Sequence, residues 1–146
     1  MTFYFVIPGE PQGKGRPRFV RKTGMSYTPD KTVAYEELVR QRFLLCARGD
    51  RFADDAEISA HIFAHYAVPK SASKKKKAAM LADEIRPMKK PDTDNIAKIV
   101  LDALNGIAYK DDSQVVFLQV EKGYAENGSV VVALVDKEGW KDGWMD

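Results

Sequence analysis

A chain of 146 residues, 45% hydrophobic and 30% charged, has the size and apolar content of one globular domain, which excludes a disordered tail or a multidomain array. Its single cysteine, Cys46, excludes an internal disulfide; it lies in the apolar run RFLLCAR, where a buried, inert thiol is expected. The net charge of +2 conceals an asymmetry, because residues 1–90 carry 18 cationic and 10 acidic side chains whereas residues 91–146 carry 5 and 11. A basic part that could hold a polyanion therefore adjoins an acidic part that could hold metal ions, unless both are ordinary solvated faces.

The opening TFYFVI (2–7) is rich in aromatic and β-branched residues and predicts a strand. It lacks the basic start of a signal peptide, and its apolar run stops at Pro8, so a cytoplasmic setting is expected. No apolar run approaches membrane-spanning length. PGEPQGKGRPR (8–18) reads as a loop, and FVRKTGMSY (19–27) as a strand and turn. Thr28, Pro29 and Asp30 then supply an N-cap, a first-position proline and a first-turn acid for a helix over about 29–48. Val33, Leu38, Phe43, Leu44 and Ala47 are its expected apolar face, and Gly49 its end.

EISAHIFAHYAV (57–68) alternates as a strand does, with Ile58, Ala60, Ile62, Ala64 and Tyr66 on one face. KSASKKKKAAMLADE (70–84) predicts a short basic helix or a mobile excursion, and prolines make IRPMKKP (85–91) an extended link. Over 93–105, Ile96, Ile99, Val100, Ala103 and Leu104 repeat at helical spacing, closed by Asn105-Gly106. SQVVFLQVEKGYA (113–125) and SVVVALVDK (129–137) predict strands, and Asn127-Gly128 between them signals a hairpin. The tail 138–146 has no pattern. The expectation is one α+β (mixed α/β) domain over 1–146, helices on a small mixed or mostly antiparallel sheet, with 70–77 and 137–146 peripheral.

The stretch PDTDN (91–95) and the pair Asp111-Asp112 crowd like charges that repel. Asp92 and Asp94 could cap the helix and meet its dipole. They could also ligate a hard cation, because clustered carboxylates suit Mg²⁺ or Mn²⁺, which relieves the repulsion. Asp94, Lys98 and Asp102, four apart, form one polar stripe on the helix. Asp102 is positioned to pair with Lys98. Lys14, Arg16, Arg18, Arg21 and Lys22 crowd the first loop, and Lys89-Lys90 precede the acids; all are candidates for phosphate-backbone contact. Lys74–Lys77 are either a solvated face or a grip on DNA.

Two look-alikes fail. GEPQGKG is one residue short of a Walker A loop and has Gly15 where a Ser or Thr would bind Mg²⁺, so no nucleotide cofactor is expected. HIFAH (61–65) has the histidine spacing of a zinc protease but no glutamate, and it lies in a strand pattern. Trp140, Trp144 and Tyr109 are candidates for base stacking or for packing.

The ordered set KPDTDNIAKIVLDALNGIAYKDDSQV (90–115) resembles the signature of the RusA family of Holliday-junction resolvases. GEPQGKGRPR (9–18) is similar to the family's N-terminal basic stretch. The resemblance implies a homodimeric, Mg²⁺-dependent endonuclease, often of phage or prophage origin. It would nick opposed strands of a four-way DNA junction and leave 5′-phosphate ends. By position it implies Asp92, Asp94 and Asp112 as metal-binding acids and Lys98 as the lysine at the scissile phosphate, with Asp111 a weaker ligand candidate. The longer 70–77 stretch and the tail 137–146 depart from the family pattern without touching its core motif. A nuclease for flaps or other branched DNA, and a branched-DNA-binding protein whose acids merely cap, are the rival expectations.

Overall fold

The computed structural model describes residues 1–141. Its main sheet contains β1 (Thr2–Pro8), β4 (Ile58–Ala67), β5 (Val115–Ala125) and β6 (Ser129–Asp136) in the order β1-β6-β4-β5. Only the β4–β5 pair is parallel. A separate two-stranded ribbon pairs β2 (Arg18–Val20) with β3 (Met25–Tyr27). The helices are α1 (Asp30–Ala47), α2 (Lys74–Leu81), α3 (Thr93–Ala103) and the short α4 (Lys137–Lys141). This is the expected α+β domain with a mixed sheet. None of the helices among the described residues is long and apolar enough to cross a membrane.

Alternation decides which sheet face is covered. Phe3, Phe5 and Ile7 of β1, Val130, Val132 and Leu134 of β6, and the even-numbered residues 58–66 of β4 form one buried face. That face packs against Tyr35, Val39 and Phe43 of α1 and Ile96, Ile99 and Val100 of α3 in one core. Phe3 packs against Phe43 and Phe52, with both ring centroids 5.0 Å away.

Three local expectations are corrected. The buried stripe of α1 is Thr32, Tyr35, Val39, Phe43 and Ala47, almost entirely in steps of four, whereas Val33 and Leu44 face solvent. Its N-cap is Pro29, which has no side-chain acceptor, rather than Thr28. Most consequential, β5 and β6 do not pair as a hairpin across Asn127-Gly128: β4 lies between them and bonds to both. Residues 126–128 bridge the end of β4, two strand spacings of about 10 Å that three extended residues can reach. Of the two forms expected at 70–84, a basic helix is present, capped by Ser73. Cys46 is half-buried, and its thiol donates to the Tyr4 carbonyl. Trp140 stacks near His61, while Trp144 lies outside the described residues.

After α3 the chain reverses tightly. Gly106 adopts φ +73° and donates its amide to the Tyr109 carbonyl. Tyr109 is fully buried, and its hydroxyl donates to the Leu101 carbonyl at 2.6 Å. This bond fixes the turn that carries residues 110–114 past the end of α3. Tyr109→Phe is expected to cost about 1 kcal/mol and to lower the melting temperature by ~3–5 °C. An unchanged melt would mean that the hydroxyl contributes nothing to the turn.

Candidate metal and nucleic-acid site

Asp92 opens α3. Its extended backbone (φ −68°, ψ 156°) and its carbonyl, which accepts from Ile96 N at 3.0 Å, are those of an N-cap. Its side chain, however, makes no capping hydrogen bond. The exposed carboxylate is thus not spent on the helix amides. Asp94, in the first turn, is also exposed, and the helix dipole favours both charges there. Lys98 is exposed one turn further on, followed by half-buried Asp102.

These two acids open onto a cleft of about 1190 Å³ shared with Lys14, Arg16, Arg18, Lys31 and Lys90. The loop forming its opposite wall presses against both long helices. Lys14 N donates to the Asn95 carbonyl and Gly15 N to Thr32 Oγ1, at 3.4 and 3.0 Å. A Cβ on Gly13 would collide with Asn95 and Pro91, and one on Gly15 with Thr32. At these two positions, glycine is needed for close approach to protein.

Lys14 has a role the sequence did not suggest. Its ammonium lies 3.2 Å from Glu36 of α1 and 3.3 Å from Asp102 of α3, with the three side chains 24%, 12% and 27% exposed. Asp102 therefore pairs with Lys14 rather than Lys98. Asp112 stands beside Asp102 within hydrogen-bonding reach. Partial burial pushes its carboxyl above the usual range, helped by the hydrogen bond to Asp102 and the charges of Asp111 and Asp102. The Asn105 side chain opposes that shift.

The predicted acids therefore fall into two groups. Asp94 and Asp102 are eight residues apart, about 12 Å along the helix axis. Asp112 stands with Asp102, so one chain does not gather Asp92, Asp94 and Asp112. Among the described residues, no three His, Cys, Asp or Glu side chains are grouped to hold a metal ion. Asp111 caps the turn Asp112–Gln114: its carboxylate accepts from Ser113 N at 3.0 Å, and hydrogen bonds from the Ser113 side chain and then from its backbone amide hold the Asp111 pKa below the usual range.

Among the remaining cations, Arg21 and Lys22 occupy the β2–β3 turn, outside the cleft lining. Lys89 lies over the Tyr66 ring, 5.0 Å from its centroid, and Lys122 joins it at 5.8 Å. The Tyr66 hydroxyl donates to the Pro91 carbonyl at 3.3 Å. Its pKa is pushed up to about 12 by burial and then by the charges of Glu10 and Asp92. Tyr66, Lys122, Lys31 and Glu36 were not picked out as site residues. Alternation placed Tyr66 on the core face, but nothing in the sequence joins it to residue 91.

Two likenesses stand beside this geometry. Residues 8–135 match the family described as "Endodeoxyribonuclease RusA". The chain is also 38% identical over 134 residues to a Bacillus subtilis (strain 168) protein described as "Uncharacterized protein YqaN", covering 89% of this chain and 93% of that one.

The Asp112 environment generates a test. A carboxyl raised in the folded state makes its charged form a burden on the fold at pH values above both its unfolded and folded pKa. That burden fades as pH falls through the folded pKa and vanishes below the unfolded one. Asp112→Asn is therefore expected to raise the melting temperature at pH 7.5 relative to the parent, with the gain shrinking near pH 4. Destabilisation of equal size at both pH values would show that the carboxylate is not under strain.

Proposed function

Because this chain belongs to the RusA family of endodeoxyribonucleases, we propose that it resolves four-way DNA junctions by paired, Mg²⁺-dependent nicks, in the cytoplasm of a bacterial or phage-infected cell. The observation that carries this reading is the pair Asp92 and Asp94, exposed at the start of α3 in a cleft walled by cations. Asp92 makes no side-chain cap, which weighs against acids that merely terminate a helix.

The pair also fits the cation. Mg²⁺ in phosphoryl-transfer sites is commonly held by one or two carboxylates, with water and substrate phosphate oxygens completing its shell. Mn²⁺ has the same ligand preference. When bound, such an ion neutralises charge building on the phosphate and makes water a better nucleophile. The chain's own residues do the rest. Arg16, Arg18 and Lys90 bind the phosphate backbone and set its register over the acids. Lys98, one turn beyond Asp94, donates hydrogen bonds to the scissile phosphate and steadies the leaving oxygen. Hydrolysis leaves 5′-phosphate and 3′-hydroxyl ends.

Asp112 enters this scheme through a second copy. In one chain it is held at the far end of α3, so a site using all three acids draws Asp112 from the partner of a homodimer. Such a dimer shares the two-fold symmetry of a junction and places two sites on opposed strands.

The first test incubates the protein with a labelled four-way junction or a matched duplex, in Mg²⁺ or EDTA, alongside Asp94→Asn. Mg²⁺-dependent paired nicks in the junction alone, abolished in the variant while binding persists, are expected. Equal cutting of flaps would broaden the substrate to branched DNA. Tight junction binding without cutting in Mg²⁺ or Mn²⁺ would leave a binding protein. A second test mixes Asp94→Asn with Asp112→Asn. Sites shared between copies regain one intact set of acids per mixed dimer, so single nicks should return; continued inactivity would mean that each site is built within one chain.

A further inference from the structure

We propose that the β2–β3 ribbon is a wedge that enters the branch point of the DNA and stacks its apolar side chains on the base pairs exposed there. The inference rests on the junction-cutting reading and names the part of the substrate that the ribbon meets. Every residue of both strands is exposed, and the ribbon belongs to no larger sheet. Phe19 is 66% and Met25 67% exposed, with Val20 and Tyr27 at 37% and 49%. A lone two-stranded ribbon is marginal in water. Apolar residues held out on one call for a partner.

The pairing register shows what kind of partner. Val20 pairs with Met25 and Arg18 with Tyr27, so these four side chains share one face. Phe19, paired with Ser26, is on the other. A ribbon lying on a protein surface would have one apolar face and one polar face. This ribbon has apolar groups on both, as a blade inserted between two stacks does.

Charge selects the class of partner. Between Glu10 and Asp30 the chain carries five cations and no acid. Arg21 and Lys22 form the tip, and Arg16 and Arg18 lead from its base into the cleft holding Asp92 and Asp94. A second copy of this basic segment would be repelled; phosphates would be drawn to it. Apolar side chains driven between base steps are an established means of opening DNA. At a four-way branch the stack is already interrupted, so the unstacking cost is least there. The ribbon thus provides preference for branched over linear DNA without any base-reading contact.

The test places 2-aminopurine next to the branch point and follows its fluorescence with EDTA present, so that nothing is cut. The parent protein is expected to raise the signal on the junction and not on a duplex. Phe19→Ser with Met25→Ser should abolish the rise and weaken junction binding by about tenfold, with duplex binding changed less than about twofold. Phe19→Trp with Met25→Leu should keep the rise. A double serine variant that retains the signal and the junction preference would overturn the wedge. So would a variant whose junction loss tracks loss of dimer in sedimentation, since the ribbon would then be a subunit contact. A parent protein that binds and nicks junctions without any rise would defeat the wedge alone. One that neither binds nor nicks them would remove the nuclease reading and the wedge together.

Discussion

One ammonium group holds this structure's working parts in place. Lys14 Nζ lies between Glu36 of α1 and Asp102 of α3, and its own backbone amide is tied to Asn95 at the start of α3. The loop 11–17, both long helices and, through Asp102, the turn bearing Asp112 thus meet at one cation. Two carboxylates flank it, one more than its single charge can balance. Partial burial strengthens the attraction and the residual repulsion alike. Arg40 of α1 adds a second strap, donating to the Ala103 carbonyl at the end of α3 at 3.4 Å.

The polarity of α3 sorts the acids around this anchor. At its N-terminus the positive pole of the helix favours Asp92 and Asp94, which keep their carboxylates outward. At its C-terminus Asp102 and Asp112 meet the negative pole and each other. The first pair is open to solvent. The second is relieved by Lys14 and by the Asn105 side chain. The start of the helix therefore presents an acid pair open to a cation, whereas at its far end Asp102 is paired with Lys14 and Asp112 stands beside it. The basic cleft stands over the first pair only.

Much of this was legible in the sequence, for identifiable reasons. The apolar repeat of α3 reports its core face, but Ala97 and Leu101 are buried too, because the helix packs against α1 as well as the sheet. The stretch PDTDN announces two acids at a helix start, and both are there and exposed. The α1 face was less legible, since Val33 and Leu44 are apolar residues on a solvated side and Thr32 is a buried polar one. The β5–β6 pairing was misleading because Asn-Gly reports only that the chain turns, not whether another strand fills the gap. Lys14 looked like one more phosphate-binding cation. Its partners lie 22 and 88 positions away, and no local pattern encodes such a meeting. Asp112 is only ten residues from Asp102, but their association depends on the conformation of the turn around buried Tyr109, which residue types alone do not specify.

The position of β1 has a consequence for how the molecule comes into being. Its only partner in the main sheet is β6, Thr2 lying opposite Val135 and Pro8 opposite Ser129. Synthesis must therefore run past β6 before β1 can be paired. Until then Phe3, Phe5 and Ile7 have α1 to lean on but no ladder to join. Such long-range closure favours slow, late assembly of the sheet. Until it closes, apolar strand residues are exposed and prone to association.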